Sequence, residues 1–205
     1  MKKILFALLI LFSGISMAQT KLGLKLAPIA SSNRATNDSL SVESNGSKMN
    51  ISIGLIVDKA LTDTYYLSTG LVYIPKRVAF GYSDPAIEDE EYNLQYLQIP
   101  ISLKLFTNEV APDLKVFFQV GTGLEFKVFE ERADPSHFIV EKFNAIDLSV
   151  LLGSGIEYRA GINTTLFGGF SYQRGLTNVV AEPATLYEDL QLRSTIFSID
   201  LGVKF

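Results

Sequence analysis

Along most of the chain, apolar and polar side chains alternate with a period of two, the spacing that puts successive residues on opposite faces of a β-strand. Eight segments carry the pattern. The first, "TKLGLKLAP", presents Leu22, Leu24 and Leu26 on one face, and the second, "MNISIGLIVD", presents Ile51, Ile53, Leu55 and Val57. The third, "TYYLSTGLVYIP", carries Tyr65, Leu67, Thr69, Leu71 and Tyr73; the fourth, "NLQYLQIPISLKLF", carries Leu97, Ile99, Ile101, Leu103 and Leu105. The fifth, "LKVFFQVGTGLEFKV", runs from Leu114 to Val128, and the sixth, "AIDLSVLLGSGIEY", from Ala145 to Tyr158. "TTLFGGFSYQR" and the terminal "LRSTIFSIDLGVKF" complete the set. Pro100 lacks a donor and is an awkward residue for a central strand, so the register of the fourth segment is the least well defined.

Several segments reach ten residues or more, the length that a tilted strand needs to cross a bilayer. Their connections alternate. Links 58–64, 106–113 and 159–163 are short, whereas 28–48, 75–92, 129–143 and 174–189 are long and polar. In an antiparallel ring every long link then falls on one rim, and an even strand number returns both termini to the short-turn rim. Outer-membrane barrels have this asymmetry. The expected fold is all-β: an eight-stranded antiparallel up-and-down transmembrane β-barrel.

The polar phase decides which face meets lipid. It carries Lys104, Lys115, Gln119, Glu125, Lys127, Asp147, Glu157, Gln173, Asp200 and Lys204, interspersed with glycines. A lysine on lipid at the midplane costs about 2–4 kcal/mol, whereas a narrow lumen lets opposite charges pair and glycines make room for long side chains. These residues are therefore expected to face the lumen. On the apolar phase, Tyr65, Tyr158 and Phe205 are expected at the short-turn interface, and Tyr73, Phe126 and Tyr172 at the long-loop interface, where amphipathic rings belong.

The first residues add a route. Lys2 and Lys3 precede the apolar run "ILFALLILF" and the small residues Ser16 and Ala18, which reads as a signal peptide over 1–18, followed by the barrel domain over 19–205. Absence of cysteine excludes a disulfide framework. The 18 basic and 22 acidic side chains, with no basic stripe, argue against a nucleic-acid surface.

Candidate chemistry is sparse. His137, in "ADPSHF", lies near Asp134 and Ser136 and reads as an ordinary loop histidine rather than part of a triad. "YSDPAIEDEEY" lacks the ordered spacing of a calcium loop and reads as a solvated acidic loop. "GTG" and "GSG" lack the Walker lysine of a phosphate loop. No catalysis, cofactor or metal is expected.

"YLQIPISLKL", "GTGLEF", "GSGIEY", "SYQRGLTNV" and the terminal "LGVKF" resemble the Bacteroidetes-type outer-membrane β-barrel domain, a group also described as porin-family or PorT-like. The resemblance implies insertion into the outer membrane by the barrel assembly machinery, with Phe205 as the terminal aromatic assembly signal, among outer-membrane lipid and lipopolysaccharide. A structural or surface-interaction role is expected. A narrow passive channel, a secretion-accessory barrel and a soluble lipocalin-like carrier are the alternatives.

Overall fold

The computed structural model describes residues 20–37, 42–44, 46–82, 90–132, 140–183 and 190–205. The strands are β1 (Thr20–Thr36), β2 (Val42–Ser44), β3 (Lys48–Ala60), β4 (Tyr65–Tyr82), β5 (Glu90–Phe106), β6 (Leu114–Arg132), β7 (Val140–Phe143), β8 (Ile146–Arg159), β9 (Thr165–Gly175), β10 (Val180–Pro183) and β11 (Gln191–Lys204). Eight of them, β1, β3, β4, β5, β6, β8, β9 and β11, form a ring of antiparallel neighbours, and the β4–β5 and β1–β11 pairings leave it closed. Closure matters because an open edge in hydrocarbon strands its backbone donors and acceptors, each at a cost of several kcal/mol. At the seam, Phe205 and Leu22 exchange both backbone hydrogen bonds, at 2.8 and 3.2 Å.

Alternation sorts the side chains as the fold requires. Leu22, Leu24 and Leu26 on β1, Ile51, Ile53 and Leu55 on β3, and Ile199 and Leu201 on β11 all point outward and are about half exposed. Ser31, Ser52, Asp58, Gln98, Lys104, Glu125 and Asp147 point inward and are buried. On β5 the outward apolar run Leu97–Leu105 spans nine residues, the number that a tilted strand needs to cross a bilayer's hydrocarbon. A soluble carrier needs the reverse, an apolar interior under a polar skin.

The long links are shorter than the sequence suggests, because the strands continue beyond the belt. β1 runs on to Thr36, β4 to Tyr82 and β6 to Arg132, and β5 already begins at Glu90. Above the belt both faces are polar or mixed, so the lipid-facing pattern ends while backbone pairing persists. The short link after β3 also tightens, since β3 extends to Ala60. Pro75 and Pro100 do not interrupt their strands: Pro75 sits opposite Gln95 and Pro100 opposite Gly123, while on its β4 side the pairing skips Pro100 and Ile99 and resumes in the same register. The register shifts instead between Gln95 and Tyr96, where β6 carries one extra residue. That bulge lets consecutive Val128 and Phe129 both face outward and returns Glu130 to the inner side.

Two short elements cap the long-hairpin end. β2 pairs with the end of β4, and β7 pairs with β10 as a separate ribbon. Val140, Phe143, Val179, Val180 and Leu190 pack with Phe80, Tyr92, Leu94 and Tyr96 into an apolar core across that mouth.

Candidate functional site

The inward side chains form two ion-pair clusters, one near each end of the belt. The lower one starts from Asp58 on β3. Ser68 donates to one of its carboxylate oxygens, and Lys104, reaching from β5, bonds the other at 2.9 Å. Lys204 of β11 donates to both Asp58 and Glu157, joining β3 to β8 across the lumen. The ammonium groups of Lys104 and Lys204 also stand 5.2–6.0 Å from the ring centres of Phe106, Phe117 and Phe167, which fill the remaining width.

The upper cluster is centred on Lys76 of β4. It donates to Glu125 on β6, to Asp147 on β8 at 3.1 Å and to Ser194 on β11 at 3.0 Å, so one ammonium ties four strands. Its three donors are thereby used, and Tyr96 lies below it at 4.6 Å from the ring centre. Glu125 accepts further bonds from Gln98 at 2.8 Å and Ser149 at 2.9 Å, and Gln98 also donates to Gln173 at 2.6 Å. The Lys76, Glu125 and Asp147 side chains are no more than 1% exposed. Buried charge on this scale is tolerated only when partnered; here one ammonium faces two carboxylates, and Gln98, Ser149, Thr177 and Ser194 donate to their remaining lone pairs.

Between the clusters, Lys25 pairs with Asp200 at 2.8 Å, Gln119 donates to Ser102, and Ser171 meets Ser198. Toward the upper end the inner faces of β1, β4 and β11 turn apolar, with Ala27, Ile29, Val72, Ile74 and Ile196 in one cluster. Glycine makes this width possible. A Cβ on Gly202 would sit 2.2 Å from the Leu24 carbonyl oxygen and 2.4 Å from the Phe167 ring; one on Gly123 would sit 2.4 Å from Gln98 Nε2.

Of the residues expected to face the lumen, Lys104, Glu125, Asp147, Glu157 and Lys204 belong to the two clusters, and Gln119 and Asp200 to the layer between them. Lys115 lines a small charged vestibule at the lower mouth, with Lys21, Glu109, Glu157 and Arg159, holding about 80 Å³ of water-sized space. Lys127 turns toward the upper cap, bonding Glu130 and the Phe143 carbonyl. Sequence reasoning missed the two hubs. Lys76 falls in the expected link 75–92, although it continues the inward series Val72, Ile74, Lys76, Val78; Asp58, in the expected link 58–64, likewise continues Ser52, Gly54, Ile56.

Outward, Tyr73, Leu97, Phe126 and Ile146 form one cross-strand rung near the long-hairpin side, and Tyr172 stacks obliquely on Phe197 at 5.6 Å. Tyr65, Tyr158 and Phe205 are exposed at the other side. The acidic "EDEE" run is not simply a solvated loop. Glu90 is buried and accepts a hydrogen bond from the Tyr92 hydroxyl, while Glu91 pairs with Arg77 at 2.8 Å and Lys48 at 3.4 Å. These bonds, the Arg77 hydrogen bond foremost, hold the Glu91 carboxyl below the usual glutamate range. Burial first and the Glu90 bond second push the Tyr92 phenol upward. Asp84, Glu88, Asp89 and His137, like residues 1–18, lie outside the described residues.

Residues 11–181 match the family described as outer membrane protein beta-barrel domain. Among solved structures, OprG from Pseudomonas aeruginosa aligns with a TM-score of 0.56 at 12% identity, over 91% of this chain and 97% of its own. Neisserial surface protein A aligns with a TM-score of 0.51 at 13% identity, over 91% and 97% respectively. At such identities the likeness is one of fold. No curated protein matches the chain by sequence.

Proposed function

Starting from a chain that belongs to the outer-membrane β-barrel domain family, we propose that it serves as a sealed, non-catalytic barrel whose work is done on its outer surface and upper hairpins rather than through its lumen. The observation that carries this reading is the filled interior. Lys76, Lys104 and Lys204 bridge opposite walls through buried ion pairs, and an apolar core lies across the upper mouth. A solute on the barrel axis would have to break charge pairs in a low-dielectric environment, at several kcal/mol each. At the lower end the vestibule beside the Asp58–Lys204–Glu157 cluster is too small for more than a few waters.

The finer features of the reading follow the sequence motifs: a Bacteroidetes-type branch of the family, export by a cleaved leader over 1–18, and insertion by the barrel assembly machinery with Phe205 as the signal. Secretion-accessory work is one form that a surface role can take.

Planar-bilayer recording of the refolded full barrel tests the proposal. A sealed lumen gives no reproducible conductance steps. Steps of a defined size, abolished by narrowing the lumen, would make the protein a channel and overturn it.

A further inference from the structure

Three arginines face outward just above the belt on three adjacent strands: Arg34 on β1, Arg193 on β11 and Arg174 on β9. Arg34 stands directly opposite Arg193, and Arg174 opposite Thr195, one outward position below Arg193. All three are exposed, and among the described residues none forms an ion pair; together with Thr36, Gln191 and Tyr172 they line an open surface groove. Directly opposed like charges destabilise a strand pair. On the β4–β5 side at the same end, by contrast, Arg77 and Lys48 share Glu91. An unneutralised rung of three guanidinium groups is stabilised when an anion lies among them.

Its height identifies the anion. Arg174 is one outward position, about 7 Å along the strand, above Tyr172, which packs against Phe197; below these lie Phe170, Ile199 and Leu201 of the lipid belt. Aromatic rings mark the level where acyl chains give way to headgroups. A guanidinium fork matches a phosphate with two parallel hydrogen bonds.

We infer that the Arg34–Arg174–Arg193 rung is a binding site for the headgroup phosphate of a phosphorylated glycolipid in the outer leaflet, its acyl chains lying over Phe170 and Phe197. This rests on the membrane reading above, which places the long-hairpin rim outside. The site fixes the barrel's depth and gives it a lipid neighbour on the β9–β11–β1 side.

The test uses full barrel refolded in detergent, checked first by heat-modifiable gel migration, so that a failure to form a barrel is seen separately from a failure to bind. Diphosphorylated lipid A, its dephosphorylated form and inorganic phosphate are each titrated while bound lipid is counted by native mass spectrometry. Wild type is expected to retain the diphosphorylated lipid at least tenfold more tightly than the dephosphorylated one. The triple variant Arg34→Gln, Arg174→Gln, Arg193→Gln should lose that preference, the corresponding triple lysine variant should keep part of it, and Lys59→Gln at the opposite rim should keep all of it. Equal retention by wild type and the triple glutamine variant would overturn the inference. Competition by millimolar inorganic phosphate would overturn it too, by showing a free-phosphate site.

Discussion

Replacing Lys76 by methionine removes one ammonium and keeps nearly the same side-chain volume. The structure sets the size of the effect. Glu125 loses its charge partner while keeping the Gln98 and Ser149 bonds, and Asp147 keeps Thr177 and a long contact from Ser194. Two carboxylates that are essentially unexposed are left 49 and 71 residues away in sequence from the cation that held them. Breaking a buried pair in this way costs about 3–5 kcal/mol, and the retained neutral hydrogen bonds put the effect toward the lower end. The assay is urea unfolding of the refolded barrel in lipid vesicles, followed by tryptophan-free means such as tyrosine fluorescence or gel migration, since the chain has no tryptophan. Adding Glu125→Gln and Asp147→Asn to Lys76→Met removes the orphaned charges, and stability should recover by more than half. A Lys76→Met variant within about 0.5 kcal/mol of wild type, or a triple variant no better than the single one, would refute the claim that paired charge holds the lumen together.

Other parts of the account are testable in the same way. Gly202→Val should abolish the heat-modifiable band, because its Cβ would overlap the Leu24 carbonyl and the Phe167 ring at the closing seam; band intensity after refolding reads this directly. Glu91, with its carboxyl held low by Arg77, stabilises the upper hairpins above the unfolded glutamate pKa and loses that contribution as pH falls through the lower folded value. Proteolysis of the upper hairpins should therefore accelerate below about pH 4, and Glu91→Gln should remove the pH step. Phe205→Ser should reduce folded barrel in cells while leaving detergent refolding nearly intact, since the bonds to Leu22 are backbone bonds; equal membrane yields would remove Phe205 as an assembly signal.

The period of two carried most of the fold because it is imposed twice, by lipid outside and by charge pairing inside. β11 shows this well: Ile199, Leu201 and Val203 against Ser198, Asp200 and Lys204 leave one orientation only. Legibility failed where one of these constraints stops. Above Tyr73, Pro75 and Arg77 replace apolar residues outward, so β4 looked finished although its inner series runs on through Lys76 to Phe80. The convergence of Lys76 with Glu125, Asp147 and Ser194 was equally hidden, because closure brings together residues up to 118 positions apart and nothing local marks them. Likewise the arginine rung exists only once β1, β11 and β9 are neighbours.

The central claim, lipid outside and a sealed charged lumen inside, is tested most directly by single-cysteine scanning of residues 196–203 without Gly202, for which the cysteine-free chain needs no background removal. Each position is labelled in vesicles with a membrane-impermeant maleimide and, separately, with an environment-sensitive maleimide read by brominated-lipid quenching. Ile199, Leu201 and Val203 positions should be quenched by lipid, whereas the inward Ile196 and Ser198 positions should react with neither reagent. Rapid water-phase labelling at Ile196 or Ser198, or lipid quenching there in place of Ile199 and Leu201, would contradict it.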